Sequence, residues 1–177
     1  MTPPLAIRPA RVEDAPALAQ AERTIAATPG LLASQPHELS DERLAHKIAA
    51  LARADNGCFL VAETAGQLVG HGMLDPLPLA ATRHVVHLTL VAHSGWQGVG
   101  VGRALLASLI ERATASPAIE KIELNVRASN ARARALYREL GFSEIGRWRR
   151  RIKIGPGDYL DDVAMELFTP SPADPPP

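Results

Sequence analysis

Gln97-Gly98-Val99-Gly100-Val101-Gly102-Arg103 follows the apolar run Val85-Val86-His87-Leu88-Thr89-Leu90-Val91-Ala92 and opens into Ala104-Leu105-Leu106-Ala107-Ser108-Leu109-Ile110-Glu111-Arg112. The first run is apolar and β-branched and predicts a strand; the last has apolar residues at helical spacing and predicts a helix. A glycine-rich turn between the two gathers free backbone N–H groups at the positive end of a helix dipole, an arrangement suited to a phosphate-bearing ligand. Glycine lets the main chain approach such a ligand where a Cβ would obstruct it. The turn is read as the holder of a pyrophosphate. A tight strand-to-helix connection that holds nothing is the competing reading at this point.

The turn alone does not say which pyrophosphate. A Walker loop requires GxxxxGK[ST], and no Gly-Lys-Ser/Thr occurs in the chain. A dinucleotide fold places GxGxxG near the start of a βαβ unit, whereas here Gly98, Gly100 and Gly102 alternate beyond mid-chain after Gln97.

A second block narrows the choice. Ile119-Glu120-Lys121-Ile122-Glu123-Leu124-Asn125-Val126 predicts a strand, and Asn130-Ala131-Arg132-Ala133-Arg134-Ala135-Leu136-Tyr137-Arg138-Glu139-Leu140-Gly141-Phe142 a helix with Ser129 or Asn130 as N-cap and Gly141 as its stop. The turn Q-x-x-G-x-G followed by N-x-x-A-x-x-L-Y-x-x-x-G-F resembles the GNAT superfamily of acetyl-CoA-dependent N-acetyltransferases in order, spacing and intervening strand. The resemblance spans roughly Ile7 to Leu167.

It implies an α/β fold with a GNAT-like mixed sheet of six to seven strands and about four helices, in which two parallel strands splay apart at the acetyl-CoA site. It further implies that the backbone of Leu90, Val91 and Ala92 pairs with the pantetheine arm and thioester. The N–H groups of Gly98, Val99, Gly100, Val101, Gly102 and Arg103 would then hold the diphosphate, beside Gln97. Asn130 would touch the cofactor arm and Tyr137 would act as general acid toward the departing thiolate; their bland alternatives are a helix cap and a core tyrosine. Where some relatives carry a glutamate, this chain has Asn125, and an amide is no base. His87, His71, Glu123 or an ordered water are the remaining candidates. None of the six histidines has a second ligand at zinc-like spacing, so no metal is expected.

The rest of the chain fits one domain at residues 1–168 followed by a Pro-rich tail at 169–177. The expected course is a strand at Leu5–Arg8, a helix capped by Asp14 and another started by Ser40 or Asp41. A hairpin follows around Ala65-Gly66, then a strand from Arg83, and last two strands joined at Gly155-Pro156-Gly157. With 19 basic and 19 acidic residues the charge balances, which speaks against nucleic acid or an anionic membrane as partner. A lone cysteine, Cys58, and a start without a secretion-signal pattern fit a cytoplasmic protein. In Arg147-Trp148-Arg149-Arg150-Arg151, strand alternation would put the odd-numbered arginines on one face, as a solvated edge or an attractor of acidic groups.

Gly157-Asp158-Tyr159-Leu160-Asp161-Asp162, with Val69-Gly70-His71 and Arg83-His84-Val85, is similar to a bacterial branch acetylating free L-amino acids or small amines. The loop Thr28–Leu39, with Pro29, Leu31, Leu32, Gln35, Pro36 and His37, lacks the acidic cluster a polyamine would favour. A small primary amine is therefore the first expectation for the acceptor. Protein N-terminal or lysine acetylation and a non-catalytic acyl-CoA sensor are the alternatives, and a homodimer is expected by analogy alone.

Overall fold

The computed structural model describes residues 4–170; Met1–Pro3 and most of the Pro-rich tail, residues 171–177, lie outside them. Seven strands form one mixed sheet in the order β1-β2-β3-β4-β5-β7-β6. The strands are β1 (Ala6–Pro9), β2 (Cys58–Thr64), β3 (Gln67–Pro76), β4 (Val85–Ala92), β5 (Lys121–Arg127), β6 (Ser143–Gly155) and β7 (Asp158–Phe168). Every neighbouring pair is antiparallel except β4 and β5. The helices are α1 (Ala15–Ala26), α2 (Asp41–Leu51), α3 (Val101–Ala115) and α4 (Ala131–Glu139).

Strand alternation divides the core in two. Leu60, Ala62, Leu74, Val86, Leu88, Ile122, Leu124 and Val126 point to one face, where they meet Leu105, Leu106 and Leu109 of α3 and Tyr137 of α4. Phe59 and Val61 point to the other, against Leu18 and Ala19 of α1 and Leu44, Ile48 and Leu51 of α2. Gly70 on β3 sits where α3 crosses closest. A Cβ there would come within 2.8 Å of Val101 Cγ1 and 3.0 Å of the Val91 carbonyl, so its missing side chain admits the helix.

Four local expectations change. Asp14 precedes α1 without capping it; its carboxylate accepts from the Arg11 N–H at 2.7 Å and pairs with Arg8 at 2.8 Å. Arg8 holds that carboxyl below the usual carboxylate range. Arg83 closes a 3-10 turn at Ala80–Thr82, so β4 begins at Val85. The alternation across Arg147–Arg151 breaks, because Arg150 adopts φ 53 within a register shift between Trp148 and Ile152. Thr169, expected in a loose tail, is buried and donates to the Ile119 carbonyl at 2.5 Å.

Candidate active site

Strands β4 and β5 pair only from Val85↔Lys121 to His87↔Glu123. Past that point β4 keeps its ladder to β3 as far as Gly70↔Ala92, and β5 keeps its ladder to β7 as far as Arg127↔Asp162. Leu88–Ala92 and Leu124–Arg127 therefore diverge. Their facing main-chain groups have no strand partner, which makes the gap a slot for an extended ligand carrying amides.

The slot runs into the glycine turn. Gly98 has φ 87 and Gly100, the residue preceding α3, φ 95, a left-handed conformation that side chains disfavour. The first helical bond is Ala104 N to Gly100 O at 3.0 Å, so the N–H groups of Val101, Gly102 and Arg103 precede the ladder and are free for an anion. Gln97 behaves differently from its neighbours. Its side chain bridges the loop, accepting from the Gly95 N–H at 3.1 Å and donating to the Ala92 carbonyl at 3.2 Å. It braces the turn and ties up one carbonyl of the Leu90–Ala92 segment.

Helix α4 lies alongside. Asn130 is its N-cap, accepting from the Ala133 N–H at 3.0 Å, so the cap reading is realised. Tyr137 is 6% exposed and packs edge-to-face on Phe142 with ring centroids 5.6 Å apart. Burial pushes its phenol up to about 12, so it keeps its proton at neutral pH.

The base candidates separate clearly. His87 stands in the last rung before the splay, its Nε2 3.4 Å from Asn125 Nδ2. Burial lowers its pKa, with Glu123 and Asp75 opposing, so it is neutral and able to accept a proton at neutral pH. Glu123 is engaged by Lys121 at 2.9 Å, and Lys121 also holds Glu166. His71 has no exposed surface, and both its ring nitrogens are occupied. Nε2 lies 3.0 Å from Glu22 Oε1 on α1, and Nδ1 lies 3.0 Å from His93 Nε2.

His93, which the sequence did not single out, completes that chain with Nδ1 3.0 Å from the Leu68 carbonyl. Burial, helped by His71, pushes its pKa down to about 4. Neutral His93 thus donates to that carbonyl through Nδ1–H and accepts at Nε2. The long-range pairing of residues 22, 71 and 93 left no trace in sequence spacing.

At the far end of the slot, Arg127 donates to the Gly30 carbonyl at 2.8 Å and pairs with Asp162 at 2.5 Å. The loop after α1 is thereby fastened to the end of β5 and, through Asp162, to β7. Three arginines of the Arg147–Arg151 cluster are engaged locally: Arg147 pairs with Asp161 at 2.9 Å, while Arg150 and Arg151 lie over the rings of Tyr159 and Trp148. Among the described residues no group of three or more His, Cys, Asp or Glu is arranged for a metal ion, and no helix is long and apolar enough to cross a membrane.

Residues 22–142 match the family model described as the Acetyltransferase (GNAT) family. The chain is 32% identical over 106 residues to the L-amino acid N-acetyltransferase AaaT of Escherichia coli K12, covering 60% of this chain and 65% of that one. It is 33% identical over 101 residues to the N-alpha-acetyltransferase RimI of Mycobacterium tuberculosis, covering 56% and 61%. The matches thus span a little under two thirds of these relatives. A solved structure of YncA, a putative acetyltransferase from Salmonella typhimurium with its cofactor acetyl-CoA, superposes with a TM-score of 0.86 over 98% of both chains at 22% identity, a likeness of fold.

Proposed function

The chain belongs to the acetyltransferase (GNAT) family, and from that premise we propose that it moves an acetyl group from acetyl-CoA to the primary amine of a small molecule, foremost an L-amino acid. One observation carries the reading: the parallel pair β4–β5 opens immediately before a glycine turn with free helix N-terminal amides. The residues fit the co-substrate. A pantetheine arm needs main-chain partners, which Leu90–Ala92 would supply, and a diphosphate needs anion-binding amides, which residues 98–103 would supply.

The amine attacks the thioester carbon, negative charge grows on the thioester oxygen, and a fixed N–H on the β4 side stabilises it. His87 is the base, since it is neutral and stands where the strands part, whereas Glu123 and His71 are already engaged. Tyr137 serves the leaving group. A phenol near 12 is a weaker acid than a thiol of about 8.5, so it donates a hydrogen bond to the sulfur, and water completes the protonation. The protein would act in the cytoplasm, with residues 1–168 as the acetyltransferase unit.

The 32% identity to AaaT supports the amino-acid acceptor, and the 33% identity to RimI supports a second reading in which the acceptor is a protein N-terminus. A thiol-release assay with acetyl-CoA distinguishes them. Release with free L-amino acids in preference to polyamines and peptides is the expected result. Faster release with a peptide N-terminus would select the second reading. No release with any amine, despite binding of coenzyme A, would leave a sensor and remove the enzyme.

A further inference from the structure

Resting on the coenzyme A reading above, we infer that Arg132 is a diphosphate clamp, which makes the site selective for a nucleotide-borne thioester over one carried on pantetheine alone. Three contacts set the position of α4 against the turn. The Arg132 guanidinium lies over Gly98, so closely that a Cβ on that glycine would meet Nη1 at 2.4 Å. Four residues on, Leu136 Cδ2 lies 3.9 Å from where a Cβ on Gly102 would stand. Glu139 pairs with Arg103. Residues 132, 136 and 139 share one helical face, so packing at its far end fixes where Arg132 projects.

The charge of Arg132 is uncommitted. Arg134 and Arg138 on the same helix are both held by Glu144, while Arg132 has no carboxylate partner among the described residues. A planar cation over Gly98, the glycine that leads into the free amides of residues 101–103, presents donors in the fork that matches phosphate oxygens. In this arrangement the amides would accommodate one phosphate group and the guanidinium over Gly98 the second. Gly98 is thus required twice: for its positive φ and for the room the guanidinium takes.

Isothermal calorimetry with coenzyme A, and steady-state kinetics with acetyl-CoA and acetylpantetheine, test this on the full chain. Arg132→Gln is expected to weaken coenzyme A binding roughly tenfold, the lower end for a charge-assisted hydrogen bond, while leaving KM for acetylpantetheine unchanged. Arg138→Gln removes the same charge from the same helix and is expected to leave coenzyme A binding as it was. Equal affinity of wild type and Arg132→Gln for coenzyme A overturns the clamp alone. So does an equal loss toward acetylpantetheine, which would mean that the substitution acts by disturbing α4. Failure of the wild type to bind coenzyme A removes the parent reading and the clamp with it.

Discussion

A strand histidine and a helix tyrosine look the same in sequence whether they are chemical or structural; burial and partners separate them. The Tyr137 ring is packed on Phe142, and desolvation holds its phenol protonated, as its proposed role toward the leaving thiolate requires. Tyr137→Phe keeps the ring packing and is expected to lower kcat about 10- to 100-fold, the range for losing one hydrogen bond to a charged group, with little change in KM for acetyl-CoA. Unchanged kcat would remove the phenol from the reaction. His87 must be neutral to accept a proton, and its pKa is lowered from 6.5. The rate with saturating acetyl-CoA should therefore fall as pH drops through a value below 6.5, and His87→Gln should abolish that limb. A limb that survives the substitution belongs to another group. Sequence does not resolve pairing at this scale: His71 is a candidate base by residue type, but Glu22 and His93 occupy both its nitrogens from 49 and 22 residues away.

The strand–turn–helix order was legible because each element carries its own signal: a β-branched run, then glycines, then helical spacing. Asn130 was legible as a cap because capping is a local bond, here to Ala133 at 3.0 Å. Contacts between elements were not. Gly70 reads as a weak point in a strand until α3 is seen against it, with Val101 Cγ1 2.8 Å from any added Cβ. Gly70→Val should therefore destabilise the protein by about 1–3 kcal/mol in urea unfolding, the usual cost of overpacking, and displace the start of α3. An unaltered unfolding midpoint would show that helix and strand are less tightly apposed. Arg127 likewise gains meaning only from Gly30 and Asp162. Removing the cation in Arg127→Gln strands a carboxylate that is 5% exposed, at a cost of about 3 kcal/mol. The same substitution should raise KM for the acceptor amine more than KM for acetyl-CoA, because it frees the loop after α1, proposed to shape the acceptor pocket.

Across the whole molecule, the buried His93 ties stability to pH. The folded pKa of His93, about 4, lies below its unfolded value of 6.5, so acid favours the unfolded chain, which binds the proton more readily. Stability from neutral His93 is fully present above about pH 6.5 and is lost as pH falls toward about 4. The lowered carboxyl of Asp14 adds a further loss as pH falls below 3.8. The urea midpoint should decline between pH 7 and pH 4.5, with a shallower decline in His93→Gln; a flat profile in the wild type would contradict the burial argument. The fold was readable in outline because two local motifs in the right order constrain where one parallel pair must sit. The break in the Arg147–Arg151 face and the anchoring of Thr169 were not readable, since both arise from bonds to distant strands. Coenzyme A binding as proposed depends on the main-chain amides of residues 98–103. A 1H–15N NMR titration of the wild-type protein with coenzyme A should shift the amide signals of Gly98, Gly100, Val101, Gly102 and Arg103 most strongly and saturably. If those signals stay in place while coenzyme A is added to saturation, the turn holds no diphosphate and the proposed cofactor site is not there.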